Sequence, residues 1–210
     1  MLDELERIFE TLDFENGGSL VFTGFDRDSQ RAVLRFDLHT GTSGREPEPW
    51  TVTCEGVEAF GLSGGTASGL EVSDDDPALW PHTQPSGSLF CGPVAPERAD
   101  SLLGVLYRAH LEAVGEAEDA VPFGRGINAV AAFDGGAGLV ARGPLPLLRA
   151  YQAALDTHGV ETSVVGSFRP ERRNAHARVP VPDEMQVLLI GDCWVVAESF
   201  DVARAATPGE

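Results

Sequence analysis

Four arginines and a histidine crowd into ten residues of the run RPERRNAHAR: Arg169, Arg172, Arg173 and Arg178, with His176 among them. A guanidinium fork grips carboxylate or phosphate through two parallel hydrogen bonds, so such a cluster could hold an anionic ligand. The plainer reading is a polar loop whose arginines pair with the chain's own acids or stay in water, where ion pairs contribute little. A second stretch, VPFGRGIN (121–128), sets Arg125 between two glycines. Glycine tolerates positive φ and lets a backbone approach a ligand closely, so Arg125 and Asn128 could both face a bound group. The alternative there is a linker between a helix and the next strand. These seven residues are the anion-binding candidates.

Other chemistry is not assembled. SDDDP (73–77) lacks the alternating oxygen ligands, the sixth-position glycine and the twelfth-position glutamate of a calcium loop. Capping and turn formation explain it more simply. The five histidines, His39, His82, His110, His158 and His176, form no HxxxH or HExxH pair. His110 and His158 fall near the ends of two helical stretches, a structural position. Cys193 follows Asp192 in an apolar strand and reads as an inert core thiol. GLSGG lacks the spacing of a nucleophile elbow. The Gly-Pro pairs lack a phosphate-loop pattern, and proline removes an N–H that a phosphate would use. No catalytic residue, metal or cofactor is expected, and an enzymatic role trails the alternatives.

The chain carries 33 acids against 15 arginines and no lysine, a net charge of −18. Arginine without lysine fits a GC-rich bacterial genome. The charge is uneven: residues 1–120 hold 23 acids and 7 arginines, residues 121–210 hold 10 and 8. Such asymmetry hints at a partner-facing surface, although acidic surfaces also serve solubility alone. Phosphate-rich partners would be repelled at long range, which counts against nucleic acid and anionic membranes. Three cysteines, Cys54, Cys91 and Cys193, without CxxC spacing suit reduced thiols. MLDELERIFETL has acids where a signal peptide needs positive charge, and no stretch reaches transmembrane length. A cytoplasmic location is expected.

The elements that must carry these residues follow from periodicity. Leu2, Leu5, Ile8, Phe9 and Leu12 predict a short amphipathic helix. A meander follows: 19–26 and 32–38 joined by RDSQR, then a strand in which Trp50, Val52 and Cys54 alternate with polar residues, then one around Leu70 and Val72. Asp76-Pro77 suits the start of a helical turn. Two stretches, 88–115 and 138–159, each read as strand, Gly-Pro turn, helix and glycine stop. At a shift of 44, Leu103, Tyr107, Ala109, Leu111 and Gly115 match Leu147, Tyr151, Ala153, Leu155 and Gly159, which raises the question of an internal repeat. A strand over 160–168 precedes the arginine loop, and Gly191-Asp192 between two apolar runs predicts a central hairpin.

The fold class is therefore α+β: a mostly antiparallel sheet, an N-terminal helix and two helices packed on it. It divides into an acidic lobe 1–120 and a near-neutral lobe 121–210, or forms one continuous domain. Three functions remain open. The first is a non-enzymatic bacterial protein that binds a basic protein through its acidic surface, as an inhibitor, an immunity-type antidote or an adaptor. The second is a small-molecule-binding or enzymatic domain using the arginine loop for an anion. The third is a structural homodimer joined through a sheet edge or a helix face.

Overall fold

The computed structural model describes Arg7, Leu12 and residues 17–41, 46–67, 69–134, 137–173, 178–182 and 184–205. The predicted N-terminal helix and the 206–210 tail lie outside the described residues, apart from Arg7, which is helical, and Leu12, which is not. The fold is α+β, with antiparallel sheets and four α-helices among the described residues.

The chain divides into two compact units, Met1–Asp75 with Glu184–Glu210, and Asp76–Asp183. This differs from the division read at residue 120. The cause is long-range pairing that no local composition shift reveals: the last three strands return to the first unit's sheets.

In the first unit the strands are β1 (Gly18–Asp28), β2 (Arg31–Thr40), β3 (Glu48–Glu55), β4 (Ala59–Gly61), β5 (Thr66–Ala67) and β6 (Leu70–Ser73). The predicted hairpin of β1 and β2 closes more tightly than expected, with only Ser29 and Gln30 in the turn and Ser29 at φ +56°. The strands that return are β12 (Gln186–Ile190), β13 (Cys193–Ala197) and β14 (Ser199–Arg204). One sheet runs β14-β3-β2-β1-β5 and the other β4-β13-β12-β6. Period-two alternation buries Leu34, Phe36 and Leu38 of β2 and Trp50, Val52 and Cys54 of β3. They share a core with Leu188, Ile190, Cys193 and Val195 of the second sheet. The Gly191-Asp192 hairpin occupies the centre of that sheet, as its apolar faces predict.

In the second unit a 3-10 turn (Pro77–Leu79) leads into α1 (Trp80–Thr83), then β7 (Ser86–Cys91), α2 (Ala99–Val114) and α3 (Ala129–Asp134). Next come β8 (Gly138–Pro144), α4 (Leu145–Thr157), β9 (Thr162–Phe168) and a hairpin of β10 (Glu171–Arg173) with β11 (Arg178–Pro180). The sheet order is β8-β7-β9 with β7 antiparallel to both neighbours, so α4 carries the chain from one edge strand to the other. The four α-helices given ranges here, among the described residues, all belong to this unit, while the helical residue Arg7 belongs to the first.

Helix α2 buries Leu102, Leu106, Ala109, His110 and Val114, while α4 buries Leu147, Leu148, Tyr151 and Leu155. Gly115 at φ +54° and Gly159 at φ +69° end the two helices, as read. The 44-residue match does not extend to environment. Tyr107 is 44% exposed but Tyr151 only 1%, and Ala109 is buried while Ala153 is exposed. Equivalent burial needs one residue more, pairing Leu102 with Leu147, Leu106 with Tyr151 and His110 with Leu155. The matching letters are therefore two amphipathic helices out of phase.

Candidate functional site

The charge asymmetry survives the new boundary. The first unit holds 21 acids and 6 arginines, the second 12 and 9. In the first unit Arg31 pairs with Glu55 at 2.9 Å, Arg204 with Glu48 at 3.5 Å, and Arg35 with Asp26. The Arg27 guanidinium stacks over the Phe60 ring at 4.9 Å. Glu71, Asp74, Asp75 and Glu184 are exposed, and the antiparallel register of β6 with β12 brings Asp74, Asp75 and Glu184 to one end of that pair. Asp76 is different: it caps the following turn, accepting a 2.7 Å bond from the Ala78 amide, as its Asp-Pro step predicts. Among the described residues no group of three His, Cys, Asp or Glu is placed to hold a metal ion.

The sequence candidates do not all converge. In VPFGRGIN the close approach that glycine allows is to the protein's own backbone. Gly126, at φ +83°, accepts a bond from the Arg142 amide at 2.9 Å, and a β-carbon there would collide with the Arg142 carbonyl oxygen. Asn128 is used in the same way. Its amide donates to Val140 at 2.7 Å and its side-chain Nδ2 to the Leu139 carbonyl at 3.0 Å. The segment is bound along β8, and Arg125 stays exposed to solvent.

Parts of the arginine loop are strand. Arg172 and Arg173 lie on β10 and Arg178 on β11, in a hairpin that sets Arg173 directly opposite Arg178. His176 lies outside the described residues. Arg169, at the base of the hairpin, lines a cleft of about 300 Å³ with His82, Thr83, Pro85, Pro170, Val181 and Pro182. His82 was not among the candidates. Only the β9–hairpin turn brings it beside Arg169, and nothing local in the sequence signals it.

Two further features were not foreseen. A groove of about 480 Å³ runs between α2 and α4, with Arg108, Glu112 and His158 on its walls and Gly104, Ala109 and Ala154 among its lining. Behind it, His110 Nδ1 lies 2.8 Å from the Tyr151 hydroxyl, with both side chains buried and Phe123 packed edge-on against the imidazole. Burial holds the imidazole below its ordinary pKa and the phenol above its own, so both are neutral near pH 7. A neutral, sealed pair joins helices; without access it cannot shuttle protons to a substrate. Cys193 is buried, its Sγ 3.0 Å from the Ser63 carbonyl oxygen, which agrees with an inert thiol.

Among the described residues no helix is long and apolar enough to cross a membrane. Comparison with known proteins finds no match to a family model, to a curated protein or to a solved structure.

Proposed function

We propose that this protein acts by binding a second, basic protein through the acidic surface of its first unit, in an inhibitory, antidote-like or adaptor role in a bacterial cytoplasm. One observation carries the reading: the negative charge follows the structural division, 21 acids against 6 arginines on one unit and 12 against 9 on the other. A field of that kind speeds encounter with a positive partner more than it adds affinity. The three free, buried cysteines are compatible with a reducing compartment.

Capture from lysate of the native organism tests it, in parallel at low and raised salt, with the neighbouring gene product as first candidate. The variant Glu71→Gln/Asp74→Asn/Asp75→Asn/Glu184→Gln serves as the control and leaves the Asp76 cap intact. The expected result is one basic partner lost both at raised salt and with the variant. Capture that responds to neither treatment removes the basis for this reading.

Self-association is a second reading, supported by Val165 at 56% and Phe168 at 70% exposure on the edge strand β9. Light scattering decides it: a monomer at high protein concentration counts against a dimer.

A further inference from the structure

We propose that strand β9 joins two copies of this chain, paired antiparallel about a two-fold axis at Val164. The arrangement rests on the self-association reading and gives it a register. The first observation is the backbone. β9 is the last strand of its sheet, and among the described residues only β7 pairs with it. The Gly92 amide donates to the Glu161 carbonyl at 2.8 Å, so Glu161 turns its polar groups toward β7, and by alternation so do Ser163 and Val165. Thr162 and Val164 therefore turn their N–H and C=O groups to the open edge. Such an edge templates a further strand, and proteins usually guard one with charge or proline. The β9 sequence TSVVGSF contains neither.

The second observation is the exposed apolar surface beside that edge. Val165 and Phe168 of β9 and Phe90 of β7 are all exposed. The Phe168 ring lies over Gly166, where an added β-carbon would come within 2.8 Å of it. The third observation is charge. Two chains of net charge −18 repel each other over most of their surface. This strand is uncharged, and its flanks are opposite in sign. Glu161 precedes it, with Asp156 held alongside by a 2.8 Å bond from the Thr162 hydroxyl, and Arg169 follows it. Glu161 and Arg169 are both exposed. Pairing about Val164 sets Ser163 opposite the other copy's Val165. The register shift beyond Val165 gives β9 one extra residue, so Glu161 falls opposite the other copy's Phe168 and next to its Arg169. Opposite charges stabilise such cross-strand neighbours, and a two-fold contact makes the pair twice. Parallel pairing would instead set like charge against like.

Sedimentation of the full chain over a series of concentrations tests the arrangement. The wild type should dimerise reversibly. Glu161→Arg brings arginine beside Arg169, and Arg169→Glu brings glutamate beside Glu161, so each should weaken its own dimer about tenfold. Mixed in equal amounts, the two variants should form a one-to-one dimer as strong as the wild type's, because both cross-strand pairs are then opposite in sign. The combined Glu161→Arg/Arg169→Glu chain should recover in the same way. Hydrogen exchange at the Val164 amide should slow as concentration rises, while the Ser163 amide, already turned to β7, should not change. A wild type that stays monomeric at the highest concentration overturns this pairing together with the self-association reading. A dimer indifferent to both variants, a mixture no tighter than either variant alone, or a Val164 amide unprotected in the dimer overturns the β9 pairing alone and leaves self-association through another surface.

Discussion

The imidazole of His110 on α2 and the phenol of Tyr151 on α4 meet at 2.8 Å with no solvent access to either, so the helix pair is tied by one buried polar bridge. The other imidazole nitrogen, Nε2, makes no hydrogen bond. Burial lowers the His110 pKa; the nearby Val121 backbone and the Glu118 carboxylate offset this only in part. A histidine whose folded pKa lies below its unfolded value of 6.5 binds fewer protons folded than unfolded. Its contribution is complete above that value and is lost as the pH falls through it. Urea midpoints should therefore decline below pH 6.5, by at most ~1.4 kcal/mol per pH unit from this residue. In His110→Leu that part of the slope should vanish; an unchanged slope would show that other groups cause it.

Removing the hydroxyl in Tyr151→Phe strands the Nδ1 atom in the core. The expected cost is ~1–3 kcal/mol in chemical denaturation, the desolvation penalty of an unsatisfied buried group. The double variant Tyr151→Phe/His110→Leu should cost less than the two single changes together, since with both polar groups gone nothing is stranded. Strict additivity would mean that the bridge carries no coupling.

Most single elements were readable because each is written locally. Trp50, Val52 and Cys54 alternate with polar neighbours, and Leu102, Leu106 and His110 recur at helical spacing. Gly191-Asp192 marks its own turn. What the local pattern omits is the partner. Val202 faces Val52 across 150 residues of chain, and that pairing moved the unit boundary away from residue 120. The candidate site divides in the same way. The arginine cluster is visible as composition, but His82 reaches Arg169 only through the fold, and the backbone of VPFGRGIN is bonded along β8. His110 was read as a helix-end residue because sequence shows the helix and not the tyrosine across from it.

Two glycines should respond in opposite directions to the same substitution. Gly126→Ala places a β-carbon at positive φ and against the Arg142 carbonyl, with a cost of at least ~2 kcal/mol expected. Gly104 sits inside α2, where an added β-carbon meets nothing within 4 Å. Gly104→Ala should stabilise the protein by up to about 1 kcal/mol, the helix-interior difference between the two residues. Thermal melts of the two variants settle the matter, and destabilisation by Gly104→Ala would mean that the groove wall is tighter than described.

Cys54 gives a prediction at the alkaline end. Burial, and to a lesser degree the neighbouring Glu55 carboxylate, push its thiol from 9.0 up to about 12. The thiolate is the nucleophile, so the native protein should resist a thiol-specific reagent at neutral pH. Cys91 and Cys193 are buried as well, so all three should react only after denaturation. The sign for stability is opposite to that of His110: an acid whose folded pKa is raised keeps its proton while the unfolded chain gives one up. Its contribution is therefore full below pH 9.0 and declines as the pH climbs toward about 12. Cys54→Ala should flatten that alkaline decline while lowering stability at neutral pH through the cavity it leaves in the sandwich core. Rapid labelling of native Cys54 at neutral pH would show that β3 opens far more often than its packing implies.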